Sequence, residues 1–246
     1  MGSEESKPVL ILLAGFGDGG EMFAPLQDTP LTQHYRLLPL YLPGFAGRPA
    51  LPGPTSLEAL AEVVHEAALR ESASTLVAHS VASIIASLAA GRQGSPVKTI
   101  VSLEGNLTAA DAYFSGTAAD YDDAETFKTA FLARLEEMAA AQPVVRRYAE
   151  TVRQADPRAL WELGCDARRF SETQVPGEIL RRAAEAIYLY NPDNCAPASL
   201  QWLDGSGMKA VILDGASHWP SVDQPEALAA KMLDVLACLD ADSDTA

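Results

Sequence analysis

Cysteine is scarce and scattered: Cys165, Cys195 and Cys238 are the only three in 246 residues. An odd number without CxxC spacing builds neither a disulfide framework nor a zinc site, and reads as reduced thiols in a cytoplasmic protein without a metal. Basic residues are also few. Lys and Arg number 18 against 33 acids, for a formal charge of -15, so the positive footprint that phosphate binding needs is missing; nucleic acid and an anionic membrane surface are both excluded as partners. The acidity itself reads as a solubility device. No apolar run is long enough to span a bilayer. The opening MGSEESKP lacks a basic n-region and fits a flexible leader over 1–7 better than the loose myristoylation pattern it formally contains.

What the chain does have is an ordinary globular composition, 48% hydrophobic, with 17 Gly and 16 Pro spread along its length and no internal repeat. That length suits one α/β core. Continuous rather than alternating apolar runs at 9–15, 74–80, 97–105 and 209–215 are expected as buried parallel strands. YRLLPLY adds a strand ending near Leu42, with a Pro- and Gly-rich loop at 43–54 closing one side of the strand ends, and 186–190 adds another strand. Helical patterns lie between them, as at 56–71, which opens on a Ser cap. The alternation implies a doubly wound, mostly parallel sheet with ligands at the carboxyl ends of its strands. From 107 to 182 helical periodicity takes over, at 124–140, 143–154 and 157–165, and the chain ends in a helix over 225–239. The expected division is therefore a leader at 1–7, a core at 8–106 and 183–240, a helical insertion at 107–182 and a flexible tail at 241–246.

Chemistry concentrates in three places. Residues 75–84 form an apolar strand that meets Ser80 and runs straight into an apolar helix, with Ala78 and Ala82 two positions either side. A bend that tight brings positions minus two and plus two together, so only small residues fit, and it exposes the hydroxyl at a helix N-terminus. A glycine-rich loop, Ala14-Gly15-Phe16-Gly17-Asp18-Gly19-Gly20, leaves the first strand and offers free backbone donors. It lacks the Lys-Ser/Thr of a phosphate loop. Lastly, His218 follows the final strand between small residues and Trp219, placed to take a proton from Ser80. His34 and His65 lie in a loop approach and a helix, and strand alternation turns His79 from the nucleophile.

The serine bend resembles the nucleophile elbow of the α/β-hydrolase family, Gly-x-Ser-x-Gly, with alanine for both glycines. The resemblance covers 8–106 and about 186–239, and makes the helical insertion a cap in the usual place. It implies Ser80 as nucleophile, His218 as base, the backbone N–H groups of Phe16 and Val81 as an oxyanion hole, and Gly15, His79 and Trp219 around the substrate pocket. The acid stays open between two positions. The family's common register puts Asn194 where an Asp belongs, with Asp193 one residue off. A subset of the family, including some haloalkane dehalogenases, takes its acid from a stretch similar to Ser102-Leu103-Glu104-Gly105-Asn106. Glu104, at the end of an apolar strand where a lone carboxylate demands a partner, is favoured. Of the insertion's Phe114, Phe127, Phe131, Met138, Tyr148 and Trp161, most read as its own core. A Ser nucleophile without a cofactor suits a small-molecule ester or lactone first. A carbon–carbon hydrolase or thioesterase comes next, then a ligand-binding protein without turnover. A homodimer is left open.

Overall fold

The structure, a computed structural model, describes residues 7–243; most of the expected leader and the last three residues of the expected tail lie outside them. Six parallel strands form one sheet in the order β2-β1-β3-β4-β5-β6: β1 (Val9–Leu13), β2 (Arg36–Leu40), β3 (Thr75–His79), β4 (Thr99–Leu103), β5 (Glu185–Tyr190) and β6 (Lys209–Ile212). Where β1 and β3 lie side by side, the order reverses, and a crevice opens outside their carboxyl ends. Each central strand is a run of apolar side chains buried on both faces, as continuous hydrophobic patterning requires.

Two helices frame this crevice. The first, α1 (Leu57–Glu71), starts where Ser56 Oγ accepts the Ala59 N–H at 3.1 Å, as its cap predicts. The second, α2 (Ala82–Ala90), is buried on nearly every side and rich in alanine, which lets it lie close to the sheet. Between β4 and β5 the chain runs through α3 (Ala124–Ala139), α4 (Pro143–Arg153), α5 (Pro157–Thr173) and α6 (Pro176–Ala183). The helix α5 outlasts its expected end at 165 because Ala167 and Ser171 continue its buried stripe of Leu160, Leu163 and Gly164. The loop at 43–54 is tied to these helices: Gly44 O accepts from Asp156 N at 2.7 Å, and Gln154 O accepts from Gly47 N at 3.2 Å. The chain closes with α7 (Pro197–Ser206) and α8 (Pro225–Ser243).

Two expectations need correction. KAVI at β6 is not a buried strand: it pairs with β5 alone, at the sheet edge, and Ile212 is 46% exposed. Continuous apolar residues do not tell an edge from a centre. Nor does the final helix stop at 239. It runs to Ser243 through residues 241–243, assigned above to a tail, because no Gly or Pro intervenes to end it. No helix among the described residues is long and apolar enough to cross a membrane.

Candidate active site

The strand β3 ends at His79, and Ser80 turns the chain into α2 with φ of 55°, the left-handed region that a non-glycine residue enters only under strain. Ser80 N donates to Leu103 O across to β4 at 2.9 Å, and Ser80 O accepts from Ser83 N at 2.9 Å, so backbone on both sides locks the bend. Ala78 and Ala82 are fully buried. Beneath the bend lies Gly15, where a Cβ would sit 2.8 Å from His79 Nδ1 and 3.0 Å from Ser80 Cβ. Only a glycine lets the loop after β1 approach Ser80 this closely.

That loop carries Phe16, 4% exposed, and the residue after Ser80 is Val81, 1% exposed. Neither backbone N–H has an acceptor among the described residues. Buried donors without partners are rare and call for an explanation; here they flank Ser80. The Phe16 carbonyl, by contrast, accepts the Tyr148 hydroxyl from α4. Arg147, the residue before, clamps the Asp18 carboxylate with Nη1–Oδ1 at 3.1 Å and Nη2–Oδ2 at 2.5 Å. Burial pushes the Asp18 carboxyl above its ordinary range, and the Arg147 guanidinium pulls it partly back.

At the end of β4, Glu104 also adopts a positive φ, 46°, and is 6% exposed. Its Oε2 lies 2.7 Å from His218 Nδ1. A carboxylate oxygen accepts, so that nitrogen carries the proton and the neutral ring keeps a lone pair on Nε2. The other oxygen, Oε1, accepts from Asn191 N at 3.0 Å and from Asn194 Nδ2 at 2.8 Å. Asn194 is thus a donor that steadies a carboxylate supplied by the neighbouring strand. It also donates to Ala216 O at 3.0 Å, as Asn191 Nδ2 does at 2.8 Å, fastening the loop that carries His218. Asp193 is exposed, and its backbone N–H donates to Asn191 Oδ1 rather than its carboxylate reaching His218.

Ser80, Glu104, Phe16 and His218 line one small cavity of about 30 Å³ together with Asn106 and Tyr113. Tyr113, Phe114, Asn194 and His218 separate it from a wider groove of about 740 Å³, lined also by Arg134, Met138, Val144 and Trp219. Two residues expected at the pocket lie elsewhere: Gly15 and His79 face neither space but pack under the serine bend. His79 is buried with its ring centroid 4.6 Å from that of His218, and its Nε2 donates to His218 O at 2.7 Å. Burial, and then the charge His218 can carry, hold His79 well below the usual imidazole range, so it stays neutral. Cys195 also lines the small cavity, but burial pushes its thiol up to about 12, which leaves it protonated and a poor nucleophile at neutral pH.

Sequence reasoning missed the Arg147 and Tyr148 clamp on the loop after β1, the supporting donors of Asn191 and Asn194, and Asn106. Asn106 did leave a trace: a polar residue two places past Glu104, at the exit of an apolar strand.

A family model described as the alpha/beta hydrolase family matches residues 10–231. No curated protein matches the chain in sequence. Among solved structures, a hydrolase from Pseudomonas aeruginosa is 22% identical with a TM-score of 0.70, covering 96% of this chain and 92% of its own. A thermophilic esterase from Thermogutta terrifontis is 15% identical with a TM-score of 0.73, covering 94% and 90%. The enol-lactonase from Burkholderia xenovorans is 18% identical with a TM-score of 0.70, covering 96% and 94%. At such identities the likeness speaks for the fold.

Proposed function

Because the chain belongs to the alpha/beta hydrolase family, we propose that it hydrolyses a carboxylic ester or lactone, with Ser80 as nucleophile, His218 as general base and acid, and Glu104 as the supporting carboxylate. One observation carries this: Ser80 and His218 line the same cavity, and Glu104 stands 2.7 Å behind the far nitrogen of His218.

His218 Nε2 takes the Ser80 proton as Oγ attacks the carbonyl carbon. Charge then develops on the carbonyl oxygen, and the orphaned N–H groups of Phe16 and Val81 are the donors for it; one such donor is typically worth about 10²- to 10³-fold in rate. Glu104 fixes the ring tautomer and stabilises the imidazolium. His218 returns the proton to the departing alcohol, leaving an acyl-serine, which a water activated by the same nitrogen hydrolyses. Residues 107–182 act as a cap: α4 presses on the loop after β1, and Arg134, Met138 and Val144 wall the wider groove.

A fluorophosphonate probe, together with chromogenic esters of graded chain length and a set of lactones, tests this. Labelling at Ser80 that disappears in Ser80→Ala and His218→Ala, with turnover lost in both, is expected. No labelling and no turnover would leave a ligand-binding protein on a hydrolase fold.

A further inference from the structure

The small cavity beside Ser80 holds a buried donor that the catalytic scheme does not use. Asn106 is 2% exposed and lines the cavity, and its Nδ2 has no hydrogen-bond partner among the described residues. Its backbone is pinned: Asn106 N donates to Ser83 Oγ at 3.1 Å, and a Cβ on the preceding Gly105 would overlap Ser83 and Ser102. Two of the other polar groups on that lining are committed. Asp111 accepts from Leu107 N at 2.7 Å, Thr108 N at 2.9 Å and the Ser199 hydroxyl, while the Asn194 amide serves Glu104 and Ala216. Leaving a buried donor unpaired destabilises the site, a penalty that an incoming acceptor relieves.

Size and exit decide which half of the substrate reaches it. About 30 Å³, against about 740 Å³ for the wider groove, leaves the cavity to the smaller half of the substrate. The alcohol must leave while the acyl group stays on Ser80, and the wider groove, which shares His218, is the open side. The acyl portion then faces inward.

Resting on the ester reading above, we infer that Asn106 Nδ2 donates to an oxygen on the carbon next to the scissile carbonyl, making this a hydrolase for short 2-hydroxy- or 2-oxo-acyl esters, with the alcohol in the outer groove. Phenyl lactate and phenyl propionate differ by that one hydroxyl. With kcat/KM divided by each ester's hydroxide-catalysed rate, the wild-type enzyme is expected to favour lactate by about tenfold or more. In Asn106→Leu, checked for folding by its melting curve, the ratio is expected to fall towards one. Equal rates or a propionate preference in the wild-type enzyme would overturn the assignment to Asn106 and leave the ester reading standing, the orphaned amide then serving an ordered water. A lactate preference that survives in Asn106→Leu overturns it equally. Turnover of neither ester, without probe labelling of Ser80, removes both.

Discussion

Tyr148 and Phe16, 132 positions apart, are joined by a hydrogen bond from a phenol on the insertion to the carbonyl of the residue whose N–H is the proposed oxyanion donor. Together with Arg147 on Asp18 it makes α4 part of the loop that would hold the oxyanion.

Tyr148→Phe removes that donor and leaves the buried Phe16 carbonyl unpaired. A stability loss of about 1–3 kcal/mol is expected in denaturant titration. A fall in kcat with KM nearly unchanged should accompany it, because the loosened N–H serves the transition state more than the bound ester.

Arg147→Met should be harsher, since it strands a carboxylate whose side chain is 1% exposed; about 3–5 kcal/mol is expected. The loss should depend on pH. Burial already raises the Asp18 carboxyl above its ordinary 3.8, and Arg147 opposes that rise. Without Arg147 the folded-state value climbs further. Below the unfolded value Asp18 is protonated in both states and the deficit is small; it grows as pH rises through the folded value. A deficit that shrinks as pH rises would contradict the pairing.

Glu104→Gln keeps the size but loses the charge that faces His218. By analogy with the same change in other triads, kcat should drop by about 10³- to 10⁴-fold. Asp193→Asn, at an exposed position, should stay within about twofold. The reverse ranking in steady-state kinetics would move the acid role.

Gly15→Ala places a methyl group 2.8 Å from His79 Nδ1 and 3.0 Å from Ser80 Cβ. If Ser80 is the nucleophile proposed above, displacing it by about 1 Å should reduce kcat by about 100-fold. Fluorophosphonate labelling of Ser80 should slow in parallel.

The parts of the site readable in advance are those encoded by near neighbours in the chain. Ala78 and Ala82 advertise a tight bend at Ser80, and an acidic residue ending the apolar run at Leu103 advertises a partnered carboxylate. Pairings across the fold leave no such mark. Nothing local tells that Arg147 meets Asp18, or that Asn194, which looked like a failed acid, would donate to Glu104. His79 shows the limit of period-two reasoning. Alternation says nothing of what that ring meets; only packing tells that it props up the carbonyl of His218 and lines neither cavity nor groove. The edge position of β6 escaped for a related reason: strand order is a property of the sheet, and a four-residue apolar run carries no record of its neighbours.

Ser80 and Glu104 end adjacent strands in the same left-handed twist, at φ of 55° and 46°, where only glycine rests comfortably. Each such residue withholds about 1–3 kcal/mol from the folded state. Selecting this chain for heat tolerance would therefore be drawn to glycine at position 80 but held at 104, where Asn191, Asn194 and His218 all lean on the carboxylate, and the survivors would be sturdier molecules with no hydroxyl at the bend.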